Sequence, residues 1–390
     1  MVATSQSQKR LDAAVDPTKC RVRFLSSDSS KLKIVLDQIR ENNQLSGMAC
    51  SVVMQGSAVA TACSGYRTLK SSVPVTINDK FHIGSCTKAM TATLVAMLIE
   101  ETSLDWQTKV SEVFPELIIN PGFQDVTIEM LMAHKGGMPN RSHPLGKSLF
   151  DMHQFSGSTK SQRYKFIKLI LSESPETTPG TNYVYSNTGY AMLGAISERV
   201  TNTAWEKLIT QRLFSPLRMT TAGFGAMGTP GLLDQPLQHF FEKNKYVVVH
   251  PGPMSDNPVS IAPGGGVHCS IGDWTKFAIM HLEKGEKPNS LLKPETFARL
   301  HTDPFGGTYM GGWVLKECDW ADGPVLSHNG SNTMNFAHVR IAPSEHFAVL
   351  VATNHGGDAA QSACDELISY AIERFENGDS FGRELNEFDV

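Results

Sequence analysis

Apolar and polar residues alternate with a short period near both ends of the chain and with a helical period between them. Residues 30–44 place apolar side chains three and four positions apart, which is the spacing of an amphipathic helix. Two apolar stretches, 47–54 and 57–66, follow on either side of Gln55-Gly56. The short break between them predicts a β-hairpin.

The middle of the chain, from about residue 104 to residue 282, carries helical patterns that proline, glycine and asparagine separate. A short extended piece precedes it and leads through a glycine into a long helical pattern. The predicted helices cover residues 85–101, 127–133, 163–171, 189–201 and 205–214.

Toward the C-terminus the period shortens again. Strands are predicted over residues 310–315, 335–341 and 347–353, with a turn at 342–345 between the last two. A final helix is predicted over residues 358–375.

Strands at both ends with helices between them predict a discontinuous α+β architecture. Residues 1–104 and 283–390 would share one antiparallel sheet flanked by helices. Residues 105–282 would form an inserted, mostly helical domain. The active site is expected in the cleft between the two parts.

Composition narrows the function classes. Lysine and arginine total 35 against 39 acidic residues, so the net charge is -4 and no basic face for nucleic acid is expected. The first 27 residues contain no apolar run typical of a signal peptide, and no run is long enough to span a membrane. These features predict a cytoplasmic protein without a membrane or nucleic-acid partner.

The cysteines indicate neither a zinc site nor a disulfide framework. There are seven, an odd number, and they are scattered along the chain without a C-x-x-C or H-E-x-x-H pattern. We therefore expect free thiols, no disulfide framework and no metal site. No cofactor is expected.

The first candidate for catalysis is the pair Ser85 and Lys88, within a strand–Gly–Ser–helix pattern at 81–89. A serine in the first helical turn lies near unpaired N–H groups and the positive end of the helix dipole. A lysine three residues later lies on the same helix face, and when buried it can lose its proton and activate the serine. The S-x-x-K spacing also occurs at 30–33 and 290–293, without that context.

The second candidate is the Y-x-N segment formed by Tyr185 and Asn187, which is unique in the chain. A phenol beside an ammonium group can have a lowered pKa and transfer protons. An asparagine can hold both the lysine and a substrate carbonyl. The alternative is a helix-capping loop with a packed tyrosine.

The third candidate comprises His328, Gly330 and Ser331, which precede a predicted strand. Backbone of such a strand can supply an oxyanion donor, and a histidine facing the phenol can tune its proton. The same H-x-G pattern occurs at 134–136 and 355–357.

Together these elements resemble the serine β-lactamase and penicillin-binding-protein superfamily, in its class C-like branch. That branch includes D-alanyl-D-alanine carboxypeptidases, D-aminopeptidases, transesterases and family VIII carboxylesterases. The resemblance extends over roughly residues 45–355. It is carried by segments such as FHIGSCTKAMTATLVAMLIE, VTIEMLMAHKGGMP, PGTNYVYSNTGYAMLG and LSHNGSNTMNFAHVRIAP.

The resemblance implies a β-lactamase/transpeptidase-like fold and a role for each position that matches. Ser85 would be the acylated nucleophile and Lys88 its general base. Tyr185 would share the proton transfers, and Asn187 would orient the lysine and the substrate.

The resemblance also implies roles for the segment 328–331. Gly330 would keep the strand open to substrate, and the N–H groups of Ser85 and Ser331 would form the oxyanion hole. His328 stands where many β-lactamases carry the lysine of a K-T-G sequence. Histidine is largely neutral at pH 7, which puts β-lactamase activity in doubt.

We therefore expect a serine hydrolase whose substrate is a small-molecule ester, amide or peptide. A carboxylesterase acting on short-chain esters, with weak β-lactam hydrolysis left open, is the first hypothesis. A D-amino-acid-type peptidase, an acyl-transferring transesterase and a non-catalytic binding protein are the alternatives. Residues 140–161 and 229–258 are expected to form walls of the cleft.

Overall fold

The computed structural model describes residues 26–139 and 152–379. Its strands are named here in chain order. They are β1 (Gly47–Met54), β2 (Ser57–Gly65), β3 (Lys80–His82), β4 (Gly223–Phe224), β5 (Gln238–Glu242), β6 (Lys245–Val249), β7 (Val267–Ser270), β8 (Tyr309–Met310), β9 (Trp313–Lys316), β10 (Val325–Ser331), β11 (Phe336–Ala342) and β12 (Phe347–Thr353).

The helices are named in the same way. They are α1 (Ser26–Asn42), α2 (Thr87–Glu101), α3 (Val110–Val113), α4 (Ile128–Met132), α5 (Thr159–Leu171), α6 (Asn187–Thr201), α7 (Trp205–Ile209), α8 (Ile271–Glu283), α9 (Pro294–Leu300) and α10 (Asp358–Glu376). Short 3₁₀ turns cover Gly84–Cys86, Pro121–Phe123 and Val259–Gly264, and α7 continues into a π-helical turn at Thr210–Phe214.

Strands from both ends of the chain build one seven-stranded antiparallel sheet in the order β2-β1-β12-β11-β10-β9-β8. Strand β12, the third in that order, is buried along its whole length, because helices cover both faces. Val349 and Val351 point into a core shared with α1 and α10, whereas Ala348 and Leu350 point into the larger core shared with α2 and α8. Alternate side chains of β12 thus pack into two different cores. The predicted α+β fold class with an antiparallel sheet is confirmed.

Two local predictions can be compared with the backbone. The hairpin of β1 and β2 turns at Gln55 and Gly56, both with positive φ, as a two-residue hairpin turn requires. The single strand predicted over 310–315 was wrong. Gly311 and Gly312 have φ of 61° and 85°, so they form a turn that divides this stretch into β8 and β9.

The part of the chain between the sheet segments is not purely helical. It also contains β7, which pairs with β3 and β4, and the hairpin of β5 and β6. Helix α8 begins within residues 105–282 and ends one residue beyond them, yet it packs against β1 and β12 of the large sheet. The division into 1–104 with 283–390 and 105–282 therefore stays a proposal.

Helix α2 is the element that brings the site together. Its residues from Thr87 to Leu98 are all buried, so the helix has no solvent face over this length. A helix that is enclosed on all sides contacts several elements at once. Here α2 contacts α6, the 3₁₀ turn Val259–Gly264 and α7.

Candidate active site

Ser85 lies at the point where β3 ends and α2 begins. The chain passes through the 3₁₀ turn Gly84–Cys86, and Ser85 is partly exposed while its neighbours on both sides are buried. Gly84 has a φ of 49°, and a Cβ atom there would lie 2.4 Å from the backbone nitrogen of Ser331. Only glycine fits this close approach, so the turn that holds Ser85 can lie directly against the backbone of Ser331.

Lys88 lies one helical turn after Ser85 and is fully buried. Its Nζ atom is 3.1 Å from Ser85 Oγ, 2.6 Å from Asn187 Oδ1 and 2.6 Å from the carbonyl oxygen of Gly264. Burial lowers the pKa of Lys88 from 10.5 to about 7, because the enclosed site disfavours the charged ammonium form. At neutral pH a large fraction of this amine is therefore uncharged.

The carbonyl of Gly264 has a part that sequence reasoning missed. Gly264 is the last residue of the 3₁₀ turn Val259–Gly264. Thr91 Oγ1 donates to the carbonyl of Pro263, and the N–H of Val267 donates to Thr87 Oγ1. These bonds fix the turn against α2. A backbone carbonyl carries no sequence signature, so only the fold reveals it as a partner of Lys88.

Tyr185 and Asn187 enter the site at the N-terminus of α6. Ser186 caps the helix, its hydroxyl accepting a bond from the N–H of Gly189. Lys88 Nζ lies 4.8 Å from the ring centroid of Tyr185. The S-x-x-K and Y-x-N segments, nearly 100 residues apart, thus meet around one amine.

The pKa of Tyr185 is shifted in the direction opposite to our expectation. A neighbouring ammonium group was expected to lower it, but burial of the phenol raises it, and hydrogen bonding with Ser85 offsets only part of this effect. Burial is the largest cause, because the enclosed site disfavours the charged phenolate form. Tyr185 is thus a neutral phenol that can donate a proton.

Strand β10 lies against the turn that holds Ser85. Strand β9 pairs only with residues 325–327, so the edge of β10 beyond them is open toward the turn. A Cβ atom on Gly330 would lie 2.0 Å from the carbonyl oxygen of Ile83 and 2.7 Å from the backbone nitrogen of Ser85. Gly84 and Gly330 thus let the turn and the strand approach closely, and the backbone nitrogens of Ser85 and Ser331 both lie where the two meet.

His328 precedes that contact and is buried. Its Nδ1 is 2.5 Å from the carbonyl oxygen of Asn329, and its Nε2 is 3.0 Å from the hydroxyl of Tyr309. A carbonyl only accepts, so the ring proton is on Nδ1 and Nε2 accepts from the phenol. Burial first, and then Lys88, lower the pKa of His328 from 6.5 to about 3. The imidazole is therefore uncharged at neutral pH.

Sequence reasoning expected His328 to face Tyr185, but its hydroxyl partner is Tyr309 from β8. The ring centroids of His328 and Tyr185 are 6.3 Å apart. Trp313 of β9 is 1% exposed and stacks with Phe277, so it is a core residue.

Two further histidines lie beside the predicted residues. His82 Nδ1 accepts from the N–H of Gly84, and its Nε2 is 2.9 Å from Asp256 Oδ1. Asp256 belongs to the predicted wall at 229–258, which thus contacts the residue supporting the Ser85 turn. The ring of His134 lies 4.5 Å from that of Tyr185, although its H-x-G pattern was set aside as a repeat of the third candidate.

The other S-x-x-K pairs, the metal site, the membrane span and the second predicted wall can also be compared with the structure. Of the two other S-x-x-K pairs, 30–33 lies in α1, where Lys33 forms an exposed ion pair with Asp37. Within residues 26–139 and 152–379, no three His, Cys, Asp or Glu side chains are grouped in a way that could hold a metal ion. Over the same ranges no helix is long and apolar enough to cross a bilayer. Part of the other predicted wall, 140–151, lies outside the described residues.

Known proteins match both the sequence and the fold. The sequence model of the family described as Beta-lactamase matches residues 33–371. Penicillin-binding protein 4 of Amycolatopsis lactamdurans is 27% identical over 349 residues, covering 82% of this chain and 84% of that protein. The superfamily predicted from the sequence is confirmed, and its class C-like branch stays a prediction.

Two solved structures share the fold. The octameric penicillin-binding protein homologue from Pyrococcus abyssi superposes with a TM-score of 0.72 and 22% identity, covering 91% of this chain and 79% of that one. The structure of SurE with D-Leu superposes with a TM-score of 0.69 and 20% identity, covering 94% and 78%. At these identities the likeness concerns the fold.

Proposed function

Because the chain belongs to the beta-lactamase family, which implies a serine hydrolase, we propose that it hydrolyses uncharged short-chain carboxylic esters through an acyl-enzyme on Ser85. The observation that carries the choice of substrate is the neutral, internally bonded imidazole of His328. The position of Ser85, partly exposed in the turn just before the buried helix α2, supports its role as nucleophile.

The contacts of Lys88 support its role as general base. An uncharged amine has two N–H donors and one lone pair. Asn187 Oδ1 and the Gly264 carbonyl accept both donors at 2.6 Å, so the lone pair is left for the proton of Ser85 Oγ at 3.1 Å. A base whose pKa lies near the working pH is the most effective, and about 7 meets that condition.

The remaining groups support the rest of the reaction. As Ser85 Oγ bonds to the ester carbon, its proton passes to Lys88 Nζ and the carbonyl oxygen becomes an oxyanion. The backbone N–H groups of Ser85 and Ser331 would stabilise that oxyanion. Collapse breaks the bond to the alcohol oxygen, to which Tyr185 delivers a proton while taking one from Lys88. Water then repeats the sequence and releases the acid.

The substrate class follows from His328. A lysine at this position would offer a cation to a substrate carboxylate. Here the only ring proton of the histidine is donated to the Asn329 carbonyl, and its lone pair accepts from Tyr309. Such a ring offers a carboxylate neither charge nor a donor, and burying an unpaired carboxylate beside it is costly. Uncharged acyl groups therefore fit this site better than anionic ones.

A pair of esters that differ only in charge tests the proposal. p-Nitrophenyl butyrate and p-nitrophenyl hemisuccinate share the leaving group and acyl length, but one ends in a methyl group and the other in a carboxylate. We expect kcat/KM to be at least about tenfold higher for the butyrate, since an unpaired charge costs more than about 1.4 kcal/mol. Equal turnover of both esters, or turnover that Ser85→Ala retains, would contradict the proposal.

A second candidate is a peptidase acting on D-amino-acid peptides. It is favoured by the similarity to a penicillin-binding protein over most of both chains, and by the fold shared with SurE bound to D-Leu. D-Alanyl-D-alanine and its methyl ester distinguish the two functions. Release of D-alanine from the free dipeptide, faster than turnover of p-nitrophenyl butyrate, would favour the peptidase.

A further inference from the structure

His134 holds the backbone on both sides of Tyr185. Its carbonyl oxygen accepts the N–H of Val184 at 2.8 Å, and its ring Nδ1 accepts the N–H of Ser186 at 3.2 Å. The residue before the tyrosine and the residue after it are thus bonded to one histidine.

The ring of His134 also packs against the tyrosine itself. The ring centroids of His134 and Tyr185 are 4.5 Å apart, and those of His134 and Tyr309 are 4.4 Å apart. Backbone bonds and ring packing together give the phenol three points of support. Burial lowers the pKa of His134 well below its usual value, and Lys88 and His328 add to this effect, so the ring stays neutral and keeps the lone pair that Ser186 needs.

This arrangement is held at a cost in stability. His134 has a φ of 56°, a left-handed conformation that side-chain-bearing residues seldom adopt. Because Nδ1 accepts, the ring proton is on Nε2, which is buried without a hydrogen-bond partner among the described residues. Strain and an orphaned donor at one residue are typical of positions that serve function.

The residues that follow His134 extend the same support. The carbonyl of Lys135 accepts from the N–H of Gly180 at 2.7 Å, and that of Gly137 accepts from Glu176 at 2.9 Å. Gly137 has a φ of 63°, and a Cβ atom on it would lie 2.4 Å from the carbonyl oxygen of Thr177. The segment 134–139 thus backs the loop that carries Tyr185.

We propose that His134 is a positioning residue that holds the Tyr185 phenol in place for proton transfer to the leaving group. The proposal rests on the proposed function, in which Tyr185 protonates the departing alcohol. It predicts that replacing His134 and removing the Tyr185 hydroxyl have the same effect on kcat. In both cases the loss of kcat grows as the leaving group becomes more basic.

Two esters with the same acyl group make that signature measurable. p-Nitrophenolate is a weak base and leaves without a proton, whereas the ethoxide of ethyl butyrate needs one. We expect Tyr185→Phe and His134→Leu each to lower kcat about 100-fold on ethyl butyrate and about 10-fold on p-nitrophenyl butyrate, with KM nearly unchanged. Because both act through one group, the double variant should be no slower than Tyr185→Phe.

A conservative variant separates positioning from packing. Asparagine tolerates a positive φ and places Oδ1 where Nδ1 of the histidine accepts, so His134→Asn should lose about tenfold less activity on ethyl butyrate than His134→Leu. His346→Leu, on an exposed turn, is the surface control. Equal losses on both esters in His134→Leu, or additive losses in the double variant, would overturn the proposal.

A spectroscopic readout keeps the proposal testable if no ester is turned over, which would count against the proposed function alone. The chain has 8 tyrosines, so ¹⁹F spectra of 3-fluorotyrosine-labelled protein are resolvable, and Tyr185→Phe identifies its resonance. We expect that resonance to broaden in His134→Leu and to stay narrow in His134→Asn. A narrow Tyr185 resonance in folded His134→Leu would overturn the proposal.

Discussion

Lys88 and His328 lie on the two elements that meet at Ser85, and burial acts on both in the same direction. It lowers the pKa of the lysine from 10.5 to about 7 and that of the histidine from 6.5 to about 3. The starting values decide the outcome. The pKa of the lysine ends near physiological pH, which makes it a usable base, whereas the histidine stays neutral at that pH.

The partners of the two groups reinforce this difference. Lys88 contacts Ser85 directly, and its other two contacts are oxygen atoms that leave a lone pair free. Both nitrogens of His328 are bonded within the protein. The same physical effect thus makes one side of the site reactive and the other side an uncharged wall.

The largest expected effect is that of Lys88→Met. It removes the base while keeping the apolar packing of the side chain, so kcat/KM for p-nitrophenyl butyrate should fall about 10³- to 10⁴-fold. Lys33→Met is the matched control, because Lys33 belongs to a second S-x-x-K pair on the exposed face of α1. A loss below about tenfold in Lys88→Met would contradict the role of Lys88.

The next effect concerns the uncharged wall. His328→Lys introduces a cation, so the kcat/KM ratio of hemisuccinate to butyrate should rise about 10- to 100-fold, as expected for a hydrogen bond to a charged group. His346→Lys places the same change on an exposed turn and should leave the ratio unaltered. An unchanged ratio in His328→Lys would show that another group sets the preference.

The pH profile separates the two groups in the unaltered enzyme. Protonated Lys88 has no lone pair, so kcat/KM should rise with pH through a single inflection near 7, the pKa of Lys88. Since the pKa of His328 is about 3, it should contribute no inflection between about pH 5 and 8. A second inflection that disappears in His328→Gln would mean that this imidazole titrates during catalysis.

The smallest effect is on stability in acid. Unfolded His328 binds a proton below pH 6.5, whereas folded His328 does so only near pH 3. The stability that the neutral ring contributes is therefore complete above pH 6.5 and is lost as the pH falls toward 3. Between about pH 7 and 5 the free energy of unfolding of His328→Gln should therefore fall by about 2 kcal/mol less than that of the wild type. Urea unfolding at both pH values measures this difference, and equal losses would contradict the shift.

Local patterns predicted much of the fold. The hairpin at Gln55-Gly56 and the strand of residues 347–353 follow from side chains close in sequence, and the structure confirms both. The error at 310–315 had a local cause, because two glycines interrupt an otherwise apolar run with a turn.

The site was predictable only as far as its side chains carry a motif. Ser85, Lys88, Tyr185 and Asn187 could be named in advance, and the structure brings them together. The Gly264 carbonyl could not, because it is backbone and more than 170 residues from Lys88 in sequence. The pKa direction of Tyr185 was missed for a related reason, since burial is a property of the fold.

A competition between the two p-nitrophenyl esters, quenched in acid and followed by intact-mass analysis, tests the central claim most directly. It reports in one spectrum which acyl group the enzyme carries, and peptide mapping then locates that group. We predict a butyryl adduct on Ser85 that exceeds the succinyl adduct at least about tenfold and is absent from Ser85→Ala. A predominant succinyl adduct, or an adduct that persists in Ser85→Ala, would contradict the account.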